Sequence, residues 1–560
     1  MMRARRNWGL RVSLFVCVLL AGWDARAAET TLKLNGDAPA TGADHFFVPF
    51  DVPVGTKEIE VSHVSIAADN VLDFGVNDPQ GFRGWGGGNK EPAIIGELAA
   101  SRSYVPGPLP VGTWQVVVGK ALIKQVPASY EITVTLRDAP TLAPQTERAT
   151  YVASAPLSTD SRWYAGDFHV HSLESGDARP PLDEIATFAR GRGLDFVLIS
   201  DHNTLTQLDF FVDAQSRHPQ LLFMPGMEFT TYAGHANAIG ISNWVDHKIG
   251  QPGVTIEASV KALRDQGALV SVNHPTLDIG DLCIGCAWKH DLDPGLLSAV
   301  EVMTGTPSTI DYLGKKKAID YWDELLDQGY HLPAIGGSDD HRAGVDLTLF
   351  QSPIGDPTTL VFADELSVQG IVDGVCSGRT VVKLWGPQEP MVEIAASVEP
   401  TGDTVVAASV TWTAKVTAGQ GRFVRFVKNG KALEQVAIDS NPFSHTLQVS
   451  APASGEDRYR AEVWDDSVRR TLTSHLWLRA PAVEDAGVDA DVDGGADAST
   501  GPGASPEPAG GCGCGVPRAQ GSWGAAALLL FGLFLRGRAR RGRRRAHSRR
   551  RAHSRGRGCA

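Results

Sequence analysis

Histidines and acidic residues recur in the middle of this sequence at the points where apolar runs end. The stretch Gly166–Asp177 reads GDFHVHSLESGD and places His169 and His171 one residue apart. On a β-strand, residues i and i+2 point to the same face, about 6.6 Å apart along the chain. Two imidazoles in that relation can bind one ion at about 2.0–2.1 Å. The spacing therefore predicts a strand end that binds a metal.

Later apolar runs also end in, or begin with, side chains that bind metals. These side chains are Asp201, His202, Glu228, His235, His274, Asp339 and His341. Sixteen histidines scattered over 560 residues would rarely collect at the same end of five strands. Unpaired carboxylates are disfavoured in a dry interior, and divalent cations would neutralise them. We therefore predict a metal centre. The other histidines of the region are expected to be ordinary polar residues: His218, His247, His290 and His331.

These residues belong to a middle region, residues 160–385, in which strand-like runs alternate with helical patterns. DFVLISDH reads as a buried strand, and VTIEASVKALRDQG has the apolar spacing of an amphipathic helix. About seven such strands predict an α/β fold with a parallel sheet, closed as a barrel or wound open. In either arrangement the carboxyl ends of the strands meet on one side, where reactive residues collect.

Two β-rich segments flank this region. Residues 30–145 contain KEIEVSHVSI and YEITVTLRD, and residues 390–479 contain RFVRFVKNG and RYRAEVWDD. Alternation with a period of two, broken by Gly, Pro and Asp turns, predicts a β-sandwich in each segment. Their aromatic residues are expected to lie in the cores.

The two ends of the chain have the features of targeting segments. Residues 1–28 combine an arginine-rich start, a short apolar run and an A-x-A motif, which predicts a cleaved export signal. Residues 480–511 are acidic and poor in large apolar side chains, which predicts a disordered linker. Residues 512–560 contain GCGCG, a short apolar run and an arginine cluster, which predicts a sorting or anchor segment. A weak tail anchor with its arginines inside is the alternative.

Charge and cysteine content limit the partners. The formal net charge is −12 even with the arginine-rich tail included, and such a surface repels polyanions, so no nucleic-acid-binding surface is expected. Cys283 and Cys286 lie in the body of the exported chain, where a disulfide is plausible and free thiols are the alternative. Half of a zinc site is a weaker interpretation, because no second C-x-x-C pair completes it there.

The motifs HVH, SDH, PGMEF, NHP and GSDDH resemble those of the PHP (polymerase and histidinol phosphatase) family. GHANAIG and the flanking β-rich segments resemble its secreted carbaryl-hydrolase-like branch, CehA/McbA. The resemblance covers residues 162–385 and implies a distorted (β/α)7 barrel with two or three divalent ions of zinc, manganese or iron. The C-terminal segment resembles the myxobacterial MYXO-CTERM tag. That tag implies cleavage by a sorting protease and membrane attachment at the cell surface or outer membrane, or release from the cell.

The family resemblance also implies a set of ligands for each ion. They form three groups, two of which share one carboxylate: His169, His171, Glu228 and Asp339; Glu228, His235 and His274; and Asp177, His202 and His341. Family members often have His where this chain has Asp177. Asp201 would orient a ligand imidazole or accept a proton.

Two neighbouring ions can share a water, lower its pKa towards 7 and hold the oxygens of a substrate. We therefore expect an exported hydrolase that uses a metal-bridged hydroxide, with Glu228, Asp339 and Asp201 as catalytic carboxylates. The sequence has no G-x-S-x-G elbow and no P-loop. The family favours phosphomonoesters or small phosphodiesters as the small-molecule ester substrate. The alternatives are a carboxylester or carbamate hydrolase and a surface-displayed binding protein with an inert metal barrel.

Three further features of the middle region have more than one interpretation. Arg342 either holds a phosphate or pairs with a surface acid. The insert Thr276–Leu292 forms a lid over the pocket or a surface loop pinned by a disulfide. Glu174 has no role in the ligand set and is expected to be a solvated loop carboxylate.

Overall fold

The structure is a computed structural model that describes residues 28–305, 317–347 and 351–482. The expected export signal, acidic linker and C-terminal sorting segment lie outside these residues, apart from residues 28 and 480–482 at their edges. No helix within the described ranges is both long enough and apolar enough to cross a bilayer.

The N-terminal part consists of eight strands in two antiparallel sheets. The strands are β1 (Glu29–Ala38), β2 (His45–Val52), β3 (Glu58–Ser65), β4 (Val71–Asp78), β5 (Gly81–Gly87), β6 (Ala93–Gly96), β7 (Gly112–Leu122) and β8 (Ala128–Arg137). They pair in the orders β1-β8-β3-β6 and β2-β7-β4-β5. Burial alternates along β8, so one face is covered, and side chains of both sheets share one hydrophobic cluster that includes Trp114 and Ile59.

The described residues of the central part form nine strands and five α-helices. The strands are β9 (Arg162–Val170), β10 (Phe196–Ile199), β11 (Leu222–Thr231), β12 (Gly234–Ile239), β13 (Leu269–Val272), β14 (Ala299–Thr304), β15 (Ala334–Gly337), β16 (Thr358–Ala363) and β17 (Thr380–Lys383). The helices are α1 (Leu182–Gly191), α2 (Phe211–Arg217), α3 (Ile256–Arg264), α4 (Ala318–Asp327) and α5 (Val368–Cys376). The expectation of a mixed α/β protein with several sheets is confirmed.

Strands β9 to β15 are neighbours in chain order. The four-residue strands β10, β13 and β15 are buried at every position, as FVLI in β10 shows, because both faces of the sheet are covered. Beyond the strand ends, the amide of His171 donates to the carbonyl of Asp340 at 2.9 Å, and the amide of Asp339 donates to the carbonyl of His169 at 2.8 Å. The chain that follows β15 therefore lies beside the chain that follows β9.

Strands β9 to β15 do not form a regular (β/α)7 repeat. Strand β12 is antiparallel to both β11 and β13, and a tight turn at Gly234, with a φ of 146°, joins it to β11. Antiparallel strands need only such a short turn, whereas parallel strands need a crossover connection. Between β13 and β14 the structure has short 3₁₀ turns rather than an α-helix.

The C-terminal part continues the central sheet. Its strands are β18 (Met391–Ala396), β19 (Thr404–Val406), β20 (Ser409–Thr417), β21 (Phe423–Lys428), β22 (Lys431–Ala437), β23 (Phe443–Ser450), β24 (Glu456–Asp465), β25 (Val468–Thr473) and β26 (Leu476–Arg479). Strand β25 pairs antiparallel with β17, so Val381 lies opposite Thr473. A separate three-stranded sheet, β18-β20-β23, shares one hydrophobic cluster with these strands.

Buried polar contacts connect the N-terminal sheets to the central part. Glu174, which we expected to be solvated, is only 7% exposed. Its carboxylate accepts a hydrogen bond from the amide of Ser103 at 3.0 Å, and its carbonyl accepts one from the Ser103 hydroxyl at 2.6 Å. The expectation for Glu174 is therefore wrong, because its partner lies 71 positions away in the sequence. Glu174 fastens the loop after β9 to the N-terminal sheets.

Candidate metal centre

All nine predicted ligand residues lie together beyond the ends of the central strands. His169 and His171 come from the end of β9, Glu228 from β11, His235 from β12 and His274 from just after β13. The loops after β9, β10 and β15 supply the others, which are Asp177, His202, Asp339 and His341. Their side chains include three sets of possible ligand atoms, and within each set the atoms lie within 4.8 Å of one another.

The first set contains His169, His171, Glu228 and Asp339. The Nε2 atom of His169 lies 3.3 Å from carboxylate oxygens of both Glu228 and Asp339. The Nε2 atom of His171 lies 3.5 Å from Glu228 and 3.1 Å from Asp339. Two atoms that each bind one ion at about 2.1 Å lie roughly 3 to 3.5 Å apart, so this spacing fits shared coordination.

The second set lies at Oε1 of Glu228, the oxygen that also faces His169. This oxygen lies 3.2 Å from Nδ1 of His235 and 3.2 Å from Nε2 of His274. The sulfur of Cys286 is also near these imidazoles, but it is bonded to Cys283 in a disulfide. A thiolate is what binds metals, so Cys286 is not a ligand here. The disulfide that the sequence left open is present.

The third set contains His171, His202 and His341, and Asp177 closes it. The Oδ2 atom of Asp177 lies 3.4 Å from Nε2 of His202 and 3.2 Å from Nε2 of His341. The ring of His171 stacks on both other imidazoles, with centroid distances of 4.5 and 4.1 Å. Aspartate therefore lies where it can offer an oxygen to a third ion.

Hydrogen bonds at Nδ1 aim several imidazoles into the centre. His274 donates from Nδ1 to the carbonyl of Cys286 at 3.0 Å, and His341 donates from Nδ1 to the carbonyl of Asp339 at 2.8 Å. The Nδ1 atom of His169 lies 3.2 Å from Glu301. A proton held at Nδ1 leaves the lone pair at Nε2 free, which is the tautomer that metal ligation at Nε2 requires.

Electrostatics within the cluster favour charged carboxylates. Burial alone would raise the pKa of Glu228, but the imidazoles of His169, His202 and His235 hold it well below its usual range. Burial alone would lower the pKa of His169, but Asp339, Glu228 and Glu301 raise it well above its usual range. Glu228 is thus an ionised acid in a fully buried position.

Several polar atoms of this cluster have no hydrogen-bond partner among the described residues. They are Nε2 of His169, both ring nitrogens of His171 and His235, and Oε2 of Glu228. Unpaired buried polar atoms are costly, and divalent cations in the cluster would satisfy Nε2 of His169, one ring nitrogen each of His171 and His235, and Oε2 of Glu228. The donor set of imidazole and carboxylate fits Mn, Fe or Zn and does not select among them.

The backbone near the cluster is constrained at two ligands. His274 has a φ of 29° and Asp339 has a φ of 57°, in the region that side chains other than glycine rarely adopt. Such conformations persist where the surroundings enforce them, and functional sites are where they collect. Gly337 permits the close approach of β15 to β9, because a Cβ there would lie 2.7 Å from the amide nitrogen of His169.

Sequence reasoning missed the residues that support the ligands. Glu301, in the middle of β14, has one oxygen 3.2 Å from Nδ1 of His169, and its other oxygen accepts from the amide of His274 at 2.8 Å. The amide of Asn273 donates to Oε1 of Glu228 at 2.9 Å. A carboxylate inside the apolar run AVEVMTG was a signal of the same kind as Glu228, and it could have identified Glu301.

The structure corrects the role expected for Asp201. Its two oxygens accept hydrogen bonds from the amide and the hydroxyl of Ser172, both at 2.6 Å, rather than from a ligand imidazole. Burial raises the pKa of Asp201 to about 7, and the bonds from Ser172 act in the opposite direction. Asp201 therefore fixes the turn immediately after His171. Its carboxylate is not among the groups that line the cavity.

Arg342 and the insert after His274 also have definite positions. The guanidinium of Arg342 donates to the carbonyl of Asp346 at 2.9 Å, and among the described residues Arg342 neither lines the cavity nor forms an ion pair. The insert contributes Leu282, Ile284 and both cysteines to the cavity lining. The insert is thus both pinned by a disulfide and part of the pocket wall.

A cavity of about 600 Å³ opens in front of the ligands. Three groups of residues bound it: seven of the nine predicted ligand residues, the insert, and an edge of the N-terminal sheets that includes Asp73, Trp85 and residues 86–90. Pockets for small ligands have volumes of roughly 300–1,000 Å³. The cavity therefore has room for a small molecule beside the metal centre.

Comparison with known proteins gives distant similarities only. No family model and no curated protein matches the chain. Among solved structures, a two-domain Bacteroides vulgatus protein containing a predicted PHP-like metal-dependent phosphoesterase is 19% identical, over 60% of this chain and 100% of its own, with a TM-score of 0.33. A Bifidobacterium adolescentis protein, proposed to be a metal-dependent phosphoesterase, is 14% identical over 37% of this chain and 95% of its own, with a TM-score of 0.24. A CARDB domain from Pyrococcus furiosus is 16% identical over 16% of this chain and 94% of its own, with a TM-score of 0.13.

Proposed function

We propose that this chain is an exported metal-dependent hydrolase of small phosphoesters. The observation that carries the proposal is the position of Glu228, whose two oxygens face different groups of imidazoles. Oε1 lies 3.2 Å from His235 and His274 and 3.3 Å from His169. Oε2 lies 2.8 Å from His202 and 3.5 Å from His171. A carboxylate with imidazoles at both oxygens could help to hold more than one ion, and paired ions would supply an activated water and stabilise charge on the substrate oxygens.

The exposure of the ligands gives the direction from which a substrate arrives. The side chains of His169, His171 and Glu228 are fully buried, whereas Asp339 is 29% and Asp177 is 57% exposed. A substrate would therefore approach from the side of Asp177 and Asp339. Bound divalent ions would lower the pKa of a water and neutralise charge on phosphoryl oxygens. Glu228 and Asp339 border the space where the reacting atoms would lie, and Glu301 and Asn273 hold their neighbours in position.

The fold proposed for β9 to β15 is a distorted seven-stranded barrel of the PHP type. Its support is the order of the strands and the pair of hydrogen bonds that join the chain after β15 to the chain after β9. The HVH, SDH and GSDDH motifs support the same family, and GHANAIG supports its carbaryl-hydrolase-like branch. Export and display at the cell surface, through residues 1–28 and 512–560, are part of the proposal and rest on the sequence.

A second candidate is hydrolysis of an aryl ester or carbamate. One side of the cavity is apolar, with Trp85, Leu282 and Ile284 among its lining residues, and such a surface would suit an aromatic group. The same activation of water applies to a carbonyl, where developing negative charge needs stabilisation. The substrate screen below separates the two candidates.

The experiment that tests the proposal is a metal-dependent hydrolysis screen of the full chain. The substrates are p-nitrophenyl phosphate, bis-p-nitrophenyl phosphate and a naphthyl carbamate, each measured before and after chelation and metal return. We expect phosphoester hydrolysis that chelation abolishes and that His171→Ala abolishes. His445→Ala is the matched control, because His445 lies on β23, far from the ligands in the fold. Activity confined to the carbamate would favour the second candidate, and no turnover of any substrate would favour an inert surface protein.

A further inference from the structure

The N-terminal sheets form one wall of the cavity at the metal centre. The lining residues from this part are Asp73, Trp85 and residues 86–90. Gly86 touches the loop that carries a ligand, since a Cβ on Gly176 would lie 2.3 Å from the carbonyl oxygen of Gly86. Gly176 directly precedes Asp177. The wall is therefore in direct contact with the loop that carries Asp177.

This wall is fixed on two sides of the cavity. On one side, Ser103 holds the buried Glu174, and the guanidinium of Arg102 donates to the carbonyl of Ala178 at 2.8 Å. On the other side, the hydroxyl of Tyr232, in the turn between β11 and β12, donates to Asp73 at 2.8 Å. These contacts attach the wall to both loops that border the centre. A loosely tethered accessory module would not have them.

Lys90 is the single lysine or arginine among the described residues that line the cavity. The other ionisable side chains of the lining are Asp73, four histidines and three further acids. Lys90 is exposed, and no ion pair joins it to another residue of the described ranges. The ammonium is therefore available to a ligand, on a chain whose net charge is −12. In such surroundings, one cation has a strong local effect on which anions can bind.

We propose that Lys90 binds the anionic group of a small phosphomonoester, so that the N-terminal sheets complete the substrate site. This inference rests on the proposed hydrolase function and specifies its substrate class. A phosphomonoester carries up to two negative charges and a phosphodiester only one, so a lysine in the lining of the cavity favours the monoester. The wall and the insert flank the opening on two sides, which disfavours a long polymeric substrate.

The test measures binding of inorganic phosphate to the metal-loaded full chain by calorimetry, for the wild type, Lys90→Met and Lys33→Met. Lys33 is the matched control, because it is exposed on β1 of the same part and does not line the cavity. We expect phosphate to bind about ten-fold more weakly to Lys90→Met, which corresponds to about 1.4 kcal/mol, and with wild-type affinity to Lys33→Met. Lys90→Arg should retain most of the affinity, and Lys90→Glu should lose more than Lys90→Met.

Kinetics separate this inference from the proposed function. With p-nitrophenyl phosphate, Lys90→Met should raise KM about ten-fold with little change in kcat, whereas KM for bis-p-nitrophenyl phosphate should rise less. Metal content and thermal stability should equal those of the wild type. Equal phosphate affinity in the wild type and Lys90→Met, or no phosphate binding to the wild type, would overturn the inference. A wild type that hydrolyses no phosphoester would instead refute the proposed function, and the phosphate titration would still decide the role of Lys90.

Discussion

At the scale of single residues, the centre is organised around carboxylates that burial should neutralise and that imidazoles keep ionised. Glu228 is fully buried, yet its surroundings hold its pKa well below the usual range. Removing cations from such a site leaves imidazoles and acids to share protons. The supporting residues then matter as much as the ligands, because they decide which ring nitrogen carries the proton.

Glu301→Gln tests this support. The amide has nearly the same shape but no charge, so it weakens the hold on Nδ1 of His169 and on the amide of His274. We expect metal affinity to fall by about 10- to 100-fold, measured by competition with a chelator, while the circular dichroism spectrum is retained. Glu434→Gln, on the exposed strand β22, is the control and should have wild-type affinity. Equal affinities for the two variants would show that Glu301 does not support the centre.

At the scale of secondary structure, strands β9 and β15 must approach closely enough for their loops to share ligands. Gly337 makes this possible, because a Cβ there would lie 2.3 Å from Cβ and 2.7 Å from the amide nitrogen of His169. Backbone atoms cannot move aside as the end of a flexible side chain can. The glycine pair in GGSDDH is thus part of how the centre is built.

Gly337→Ala should destabilise the fold and weaken metal binding together. Overpacking of this kind costs about 1–3 kcal/mol, which urea denaturation of the chelated protein would measure. Gly191→Ala is the matched control, because Gly191 ends α1 and a Cβ added there would have no other atom within 4 Å. Alanine is favoured over glycine in helices, so this control should be neutral or slightly stabilising. A Gly337→Ala protein as stable as the control would contradict the close approach.

The elements that sequence predicts well are those with local signals. His169 lies on β9 and His171 directly follows the strand, and their spacing of two residues was enough to identify them. Glu174 was misjudged because its partner, Ser103, comes from another part of the chain. The pairing of β17 with β25 joins residues about ninety positions apart, as Val381 and Thr473 show, and no local pattern encodes it. The predicted role of Asp201 was wrong for a related reason, because the burial of Asp201 and the position of Ser172 decide what its carboxylate binds.

At the scale of the whole molecule, the N-terminal sheets and the central part meet across buried aromatic rings. His45 stacks on Tyr232 at a centroid distance of 5.4 Å and lies 5.6 Å from His247. Neither ring nitrogen of His45 or His247 has a hydrogen-bond partner in the described ranges. Burial, with the nearby charge of Lys248, lowers the pKa of His45 to about 4. The interface therefore contains imidazoles that must stay neutral.

Acid should loosen this interface. The folded-state pKa of His45 lies below the ordinary value of 6.5, so the unfolded chain takes up a proton first as the pH falls. Stability is retained above pH 6.5 and declines between pH 6.5 and 4. For His45 the loss by pH 5 is about 2 kcal/mol. His45→Phe keeps the stacked ring and removes the titration, so its unfolding free energy, from urea denaturation, should fall less than that of the wild type between pH 7.5 and 5. If the unfolding free energies of the wild type and His45→Phe fell equally between pH 7.5 and 5, protonation of His45 would not be the cause of the lost stability.

The central claim is that one carboxylate, Glu228, serves more than one metal ion. Its most direct test is elemental analysis of protein purified without added metal, for the wild type, Glu228→Gln and His235→Ala. We predict two to three transition-metal ions per wild-type chain, a loss of more than one ion in Glu228→Gln, and a loss of at most one in His235→Ala, which faces a single group of ligands. A Glu228→Gln protein that retains the full wild-type metal content would contradict the account.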